Sequence, residues 1–430
     1  RDVGVWTRAG RDPDNLLVAQ TLIHECGVTF VNTDLPTSFS SPLIRASSPH
    51  LKSKEGPSPS TSRDNLPRIS PASSREHLPR ISPATSRDKL PRMARPDSPW
   101  GNRPPPQVTT VSQLVDKYDA FLLDQFGVLH DGTDALPGAI DCFAKLIAAG
   151  KKCVVLSNTS RRGGAGAGKL KGMGFAADSL SGFVASGELA FQYMLSEFKG
   201  KKALWFGWEG GFLNNNNSDY VDGLDLTFAP ATEADFILCQ GTQTLSDGKS
   251  VVPIGLFESG LPLKPFVKSV LDSCAARNLT MICCNPDFTA LISGGTKHMP
   301  GKLASEYEKR GGKVIGFGKP STAAFEAALD LLSKGSYSKI EHKRVCHVGD
   351  SLHHDIAGAN ASGVDCLWVT ASGIHAEELF EEGDAESATN VSPSAIRRVV
   401  NANGGHKPTH ITMRFSWGGG SESPFFATAL

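Results

Sequence analysis

From Val108 onward the chain alternates short apolar segments with amphipathic ones, and this alternation constrains its fold more than any other feature. AFLLDQF, CVVLSNTS, TMICCN and RVCHVGD have the length and apolar content of buried strands, whereas GAIDCFAKLIAAGKK carries apolar residues at helical spacing. Strands that are apolar on both faces are typical of a parallel sheet covered by helices on both sides. We therefore predict an α/β, doubly wound parallel sheet, with ligands at the carboxyl ends of its strands.

The first 105 residues differ in composition from the rest of the chain. Three twelve-residue repeats, SRDNLPRISPAS, SREHLPRISPAT and SRDKLPRMARPD, begin at Ser62, Ser74 and Ser86. Each repeat has too few apolar residues to offset the entropy lost on ordering, so we predict a disordered arm over 1–105. An inert or transit-type arm is favoured over a linker phosphorylated at Ser70 and Ser82.

Charge and cysteine usage narrow the class of protein. The 44 Lys and Arg residues balance 44 Asp and Glu residues, which argues against a general binder of nucleic acid or of anionic membranes. The nine cysteines show no CxxC spacing and lie mostly in strand-like segments, as expected of free thiols in a reducing compartment. Free thiols therefore lead us to expect a cytoplasmic or organellar protein that is not secreted, and the Ser- and Arg-rich arm is compatible with a plastid or mitochondrion. No segment is apolar enough to span a bilayer.

Polar side chains stand where several predicted strands end. They are Asp124 after FLL, Ser157 and Asn158 after CVVL, Lys319 in GFGKP, Asp350 after CHVG, and Asp355 five residues later. Clustered carboxylates repel one another unless a cation lies among them, and Mg²⁺ is typically held by one or two carboxylates together with water and phosphate. Lysine and a serine hydroxyl are suitable donors to phosphate oxygens. The minimal reaction is attack by Asp124 on phosphorus.

Four segments in this order, DQFGVLHDG, LSNTSRR, GKP and GDSLHHDIAGANASG, resemble the sequence motifs of the haloacid dehalogenase (HAD) superfamily. FVASGELAFQYML and ICCNPD extend the similarity to class IIA, the branch of the p-nitrophenyl and phosphoglycolate phosphatases. The resemblance implies a Rossmann-like HAD core over 106–200 and 311–400, an inserted α/β cap of the C2 type over 201–310, and a C-terminal tail over 401–430. A cap of this kind excludes water and reads the substrate beyond its phosphate.

The resemblance also implies a role for each motif residue. The implied catalytic residues are Asp124 as nucleophile, Ser157 and Lys319; the substrate-binding residues are Asn158, Asn285 and Asp287; and the ligands of Mg²⁺ are Asp124, the backbone carbonyl of Phe126, Asp350 and Asp355. The implied substrate is a small phosphorylated molecule, with neither nucleic acid nor a membrane as partner. A homodimer formed through the cap is one alternative for the assembly.

Phe126 departs from the family pattern. Most phosphatases of the superfamily have Asp here, which protonates the leaving group and later activates water. General acid–base catalysis is typically worth ~10²–10⁴-fold, so its loss penalises alkyl esters more than acyl or aryl phosphates, which leave as stable anions. His130 or Asp131 could replace the missing acid. A pseudoenzyme that binds a phosphorylated ligand is the main alternative function, and a metal-independent dehalogenase is the third.

Two further motifs have a structural interpretation. GGAGAGKL, 163–170, lacks the final Ser or Thr of a nucleotide-binding loop, and we expect a flexible loop on the substrate side of the site. His353 and His354 have no third ligand at zinc spacing, so we expect them to face solvent.

Overall fold

The computed structural model describes residues 84–85, 100, 104–209, 217–258, 260–292, 295–334, 339–380, 385 and 388–418. Almost all of the predicted arm, 1–105, lies outside the described residues, and so do its repeats apart from Ala84–Thr85, the last two residues of the second repeat. Within these ranges no helix combines the length and the apolar content that crossing a membrane requires.

Strands and helices follow one another along the described chain. The strands are β1 (Ala84–Thr85), β2 (Ala120–Leu123), β3 (Lys152–Ser157), β4 (Gly182–Ala185), β5 (Lys202–Gly207), β6 (Thr227–Phe228), β7 (Phe236–Cys239), β8 (Thr244–Ser246), β9 (Val251–Pro253), β10 (Thr280–Cys283), β11 (Thr289–Ile292), β12 (Gly295–His298), β13 (Lys313–Gly316), β14 (Val345–Gly349), β15 (Asp365–Val369) and β16 (His410–Thr412). The helices are α1 (Val111–Leu114), α2 (Ala139–Ala148), α3 (Gly163–Gly172), α4 (Ser186–Glu197), α5 (Asn217–Val221), α6 (Pro265–Ala276), α7 (Pro300–Glu308), α8 (Thr322–Ser333), α9 (Ala357–Ala361), α10 (Ala376–Leu379) and α11 (Pro393–Ala402). One π-helical turn, Leu352–Ile356, precedes α9.

The core sheet has the order β16-β15-β14-β2-β3-β4, and every neighbouring pair in it is parallel. Its central register places Leu122 beside His347 on one side and Val154 on the other. The predicted parallel α/β fold is therefore confirmed. The sheet also includes β16, which lies beyond residue 400, where the predicted core ends.

The sequence explains why β2 lies at the centre. All four of its residues are buried, and successive side chains lie on opposite faces of the sheet. Phe121 packs in the hydrophobic cluster on one face, and Leu122 packs in the cluster on the other. The helix that follows, α2, buries Cys142, Phe143 and Leu146, which share one helical face. It ends at Ala148, and Gly150 just beyond it has a φ of +71°, the left-handed conformation that commonly follows the last turn of a helix.

The inserted segment forms a second sheet. Parallel strands in the order β13-β10-β7-β5 make up its centre, β6 also pairs with β5, and antiparallel β8 and β9 extend that side. Strand β1 pairs antiparallel with β13 at the other edge, and β11 and β12 form a separate hairpin. Strand β13 lies just past the predicted cap range of 201–310. We call this second sheet with its helices and hairpin the cap.

The cap packs against the core through a continuous apolar cluster and through polar contacts. Leu122 of the core sheet shares this cluster with Trp205 and Ile282 of the cap sheet. The indole Nε1 of Trp208 donates to Ser160 Oγ at 2.9 Å, and Ser186 Oγ donates to the Cys284 carbonyl at 2.6 Å. These contacts hold the cap against the loop after β3, at the end of the core sheet that carries the candidate site.

The glycine-rich segment 163–170 is not a loop, so that prediction was wrong. It forms most of α3. A Cβ at Gly166 would lie only 2.8 Å from Cε1 of Phe183, so glycine at this position allows the helix to pack closely on β4. Tight packing on the sheet explains why a segment with poor helix propensity is helical.

Candidate active site

Three carboxylates meet at the carboxyl ends of the two central core strands. Asp124 directly follows β2, Asp350 follows β14, and Asp355 lies in the π-helical turn after β14. One oxygen from each side chain lies within 4.8 Å of the oxygens of the other two. Asp124 and Asp350 are only 8% and 7% exposed, and Asp355 is fully buried. The structure therefore brings together the three predicted metal-binding carboxylates.

The charges of this cluster are not balanced by protein groups alone. Burial raises the pKa of Asp124 to about 7, with Lys319 opposing the shift and Asp355 adding to it. Burial and the two neighbouring carboxylates also raise the pKa of Asp350 well above its ordinary value. Buried carboxylates that resist ionising together, in a site offering oxygen ligands, fit a hard divalent cation such as Mg²⁺.

Lys319 joins two of the carboxylates. Its Nζ lies 2.6 Å from Asp124 Oδ1 and 2.7 Å from Asp355 Oδ1, and the side chain is 2% exposed. Burial alone would lower the pKa of Lys319, but Asp124 and Asp355 outweigh it and raise the pKa above its usual range. The lysine is therefore charged and sits against the predicted nucleophile.

Asp355 and Asp350 are each fixed by further hydrogen bonds. His347 Nε2 lies 2.7 Å from Asp355 Oδ1, and the Ser351 amide donates to Asp355 Oδ2 at 3.0 Å. Burial would raise the pKa of Asp355, but Lys319 and His347 hold it below its ordinary range. Asp350 Oδ2 accepts from the Ile374 amide at 2.8 Å. Both carboxylates are thus oriented before any ligand binds.

Two glycines make room for these side chains. Gly127 has a φ of +74°, and a Cβ there would lie 2.7 Å from Asp350 Cγ. Gly318 has a φ of +106°, and a Cβ there would collide with the side chains of Asn158 and Ser186. Both positions require the left-handed conformation and the missing side chain at once.

Asn158 connects the core to the cap at the site. Its Oδ1 accepts from the Lys319 amide at 2.7 Å, and its Nδ2 donates to the Lys319 carbonyl at 3.0 Å. The same Nδ2 donates to Asp287 Oδ1 of the cap at 2.8 Å. Asn158 therefore positions the lysine backbone and Asp287 together.

The remaining predicted residues lie in the same region. Ser157, the last residue of β3, is buried. Asn285 is also buried, and its Oδ1 accepts from the Asp287 amide at 2.8 Å, so it shapes the turn that carries Asp287. All the predicted side chains therefore occupy one end of the core sheet or the adjacent cap loop.

The two candidates for the missing acid, His130 and Asp131, are both engaged in other contacts near Phe126. Its ring packs edge-on against His130, with centroids 4.7 Å apart. His130 is fully buried, its Nδ1 accepts from the Gly132 amide, and burial lowers its pKa to about 3. Asp131 Oδ1 accepts from the amides of Thr133 and Asp134 in the same turn. His130 is therefore neutral, and Asp131 is engaged as a turn acceptor.

Two histidines at the site were missed or misjudged from the sequence. His354 was expected to face solvent, but it is only partly exposed, and its Nδ1 lies 3.2 Å from Asp287 Oδ1 of the cap. The π-helical turn directs it there, and no sequence pattern indicates such a turn. His347 lies inside β14, where an isolated histidine gives no signal distinct from a core residue.

Similarity to known proteins agrees with the motifs. The haloacid dehalogenase-like hydrolase family matches residues 121–216, and the HAD-hydrolase-like family matches 316–396. A 4-nitrophenylphosphatase of Schizosaccharomyces pombe is 25% identical over 288 residues, which is 64% of this chain and 90% of that protein.

Solved structures share the fold. A haloacid dehalogenase-like hydrolase from Brucella suis has a TM-score of 0.55 at 22% identity, with 71% of this chain and 98% of that chain covered. A possible sugar phosphatase of the HAD superfamily from Cytophaga hutchinsonii has a TM-score of 0.51 at 22% identity, with 72% and 98% covered. Motifs, fold and family matches agree: the chain belongs to the haloacid dehalogenase superfamily of hydrolases, in its class IIA branch.

Proposed function

We propose that this protein is a Mg²⁺-dependent phosphohydrolase that acts on a small phosphorylated metabolite through an aspartyl-phosphate at Asp124. The observation that carries the proposal is the contact between Lys319 and Asp124 beside Asp350 and Asp355. A charged lysine at 2.6 Å favours the ionised form of Asp124, which is the form that can attack phosphorus. Asp124, Asp350, Asp355 and the carbonyl of Phe126 would hold the metal.

In the first step, an oxygen of Asp124 forms a bond to phosphorus while the bond from phosphorus to the leaving-group oxygen breaks. Lys319 and the Ser157 hydroxyl donate to the phosphoryl oxygens, and Asn158 fixes the Lys319 backbone. When bound, Mg²⁺ supplies positive charge that offsets both the carboxylates and the phosphoryl group. In the second step, an oxygen of water bonds to phosphorus while the bond from phosphorus to the Asp124 oxygen breaks, so that the Asp124 carboxylate is regenerated and the protons of the water leave on inorganic phosphate.

Phe126 determines which leaving groups suit this site. With no carboxyl group at this position and with His130 neutral, an alkoxide leaving group receives no proton from either side chain. An acyl phosphate or aryl phosphate loses a stabilised anion and needs none. The name of the S. pombe relative, 4-nitrophenylphosphatase, refers to an aryl phosphate of this kind. We propose that such compounds are the better substrates.

The second candidate is a pseudoenzyme that binds a phosphorylated ligand without turnover, and Phe126 is the observation that favours it. Both candidates keep the carboxylate cluster, so metal binding does not separate them. Formation of a covalent aspartyl-phosphate does, because only the enzyme makes it.

The test is phosphate release with and without Mg²⁺ from p-nitrophenyl phosphate, acetyl phosphate and a panel of sugar and nucleotide phosphates. Wild type is compared with Asp124→Asn and Phe126→Asp, and mass spectrometry follows phosphate on Asp124. We expect Mg²⁺-dependent release that Asp124→Asn abolishes. A silent wild type together with an active Phe126→Asp variant would instead identify the pseudoenzyme.

A further inference from the structure

Arg161 is a buried cation with no protein partner in the described part of the chain. It follows the second-motif residues Ser157 and Asn158, and it is only 9% exposed. Its guanidinium makes no hydrogen bond or ion pair with any residue that the structure describes, and burial lowers its pKa. Buried arginines are normally paired, so an unpaired one needs a compensating anion.

Arg162, the next residue, has both an ion-pair partner and an aromatic partner. Arg162 Nε lies 2.6 Å from Glu188 Oε2, and its guanidinium stacks 3.4 Å from the ring centroid of Phe191. Arg162 is also more exposed than Arg161. Of two consecutive arginines, Arg162 is therefore paired, and the more deeply buried Arg161 has no anionic partner among the residues that the structure describes.

Lys169 adds a second positive charge close to Arg161. Burial lowers the pKa of Lys169 to about 8, and the charge of Arg161 contributes while Asp131 opposes it. The Lys169 ammonium donates to the Gly132 carbonyl at 2.6 Å and lies 5.5 Å from the ring centroid of Phe126. Lys169 thus lies on the Phe126 side of the site, and Arg161 is close enough to lower the pKa of both Lys169 and His130, the residue that packs against the Phe126 ring.

The backbone of Arg161 is fixed in place. Ser160 Oγ accepts from the Trp208 indole of the cap, and the carbonyls of Ser160 and Arg161 pack closely over Gly187 at the start of α4. A Cβ at Gly187 would collide with both carbonyl groups. A side chain on such a supported loop can act as a preorganised recognition group.

We infer that Arg161 and Lys169 form a subsite for a second oxyanion of the substrate, a carboxylate or a second phosphate, next to the leaving-group position at Phe126. This inference rests on the proposed function and adds the substrate class: a phosphorylated compound whose leaving portion is itself anionic. Arginine recognises carboxylate and phosphate by paired hydrogen bonds, and an oxyanion there relieves the repulsion between the two cations. Because residue 126 is Phe and not Asp, no carboxylate at this position competes with the substrate for the two cations.

The test uses aryl phosphates, whose departure needs no protonation. Each of the 2-, 3- and 4-carboxyphenyl phosphates is compared with the carbamoylphenyl phosphate of the same shape, in which a neutral carbamoyl group replaces the carboxylate. The phenylene bisphosphates are compared with phenyl phosphate. kcat/KM is measured for wild type, Arg161→Gln, Lys169→Met and the control Arg162→Gln. Calorimetric binding of the same compounds to Asp124→Asn with Mg²⁺ reports the subsite without turnover.

For at least one pair, we expect a preference of about 10- to 100-fold for the anionic compound, the range that charged hydrogen bonds provide. Arg161→Gln should bring this ratio to within about threefold of one, while Arg162→Gln keeps it. Ratios near one for every pair in wild type, or a ratio that survives in Arg161→Gln, would overturn the subsite. A preference seen in binding to Asp124→Asn while wild type releases no phosphate supports the subsite and refutes the proposed catalysis.

Discussion

Replacing Gly127 by alanine should weaken the metal site more than it weakens the fold. The new Cβ would stand 2.7 Å from Asp350 Cγ, and Asp350 cannot turn away without losing its hydrogen bond from the Ile374 amide. The backbone contributes a second effect, because φ at this position is +74°. Gly150 has a similar φ of +71° with open space around it, so Gly150→Ala carries the backbone effect alone.

The positive φ and the contact with Asp350 set the expected losses in stability. A left-handed conformation costs an alanine about 1–2 kcal/mol, which we expect for Gly150→Ala. Gly127→Ala should cost about 1–3 kcal/mol more, since it breaks or strains a hydrogen bond to a charged group. Moving Asp350 should also lower the affinity for Mg²⁺ at least about tenfold. With Mg²⁺ at about ten times the wild-type Kd, this removes about 1 kcal/mol of a metal-dependent stabilisation of about 1.4 kcal/mol.

The assay is urea unfolding of both variants and wild type at fixed Mg²⁺ and in chelator, together with calorimetric titration of Mg²⁺. Gly150→Ala should unfold earlier but keep the full increase in stability on adding Mg²⁺. Gly127→Ala should lose most of that increase. If Gly127→Ala binds Mg²⁺ as tightly as Gly150→Ala does, the position of Asp350 does not control the metal site, and the reasoning fails.

Three other substitutions test different parts of the site and fold. Phe126→Asp should raise kcat/KM for alkyl phosphates by about 10²–10⁴-fold relative to p-nitrophenyl phosphate; an equal change for both substrates would contradict the role given to Phe126. Asn158→Asp places a carboxylate against Asp287 at hydrogen-bond distance and should raise KM about tenfold or more in steady-state kinetics. An unchanged KM would show that this contact does not align the cap. Tyr118→Phe removes a 2.8 Å hydrogen bond to Asp365, far along the chain, and should lower the free energy of unfolding in urea by about 1 kcal/mol without changing phosphate release. A loss of activity would refute a purely structural role for this bond.

The sequence predicts the core fold and the carboxylate cluster because both follow from short-range patterns. A short segment of apolar residues only, such as β2, predicts a strand that is buried on both faces, and all four residues of β2 are buried. Parallel strands bring their carboxyl ends to one edge of the sheet. Asp124 and Asp350 must therefore be neighbours once β2 and β14 pair. Asp355 joins them because the turn after β14 brings it back to the strand end.

Other features depend on packing that no local pattern encodes. The segment 163–170 has the composition of a loop, yet it is helical because Gly166 lets it approach Phe183. His354 contacts Asp287 of the cap only because one π-helical turn redirects it. The sequence likewise does not show that Arg161 has no partner within the described ranges, because Arg161 and the paired Arg162 stand side by side in the same motif.

The arrangement separates activation of the nucleophile from handling of the leaving group. Lys319, Asn158 and the carboxylates position Asp124, and their contacts involve no side-chain atom of Phe126. An aromatic residue at 126 thus leaves attack by Asp124 intact, restricts which groups can depart, and removes the carboxylate that would activate water in the second step. The fixed cation of Arg161 and the ammonium of Lys169 near the Phe126 ring favour a departing group that is already anionic. The replacement of the acid by Phe126 and the buried Arg161, which has no partner among the described residues, therefore favour the same class of substrate.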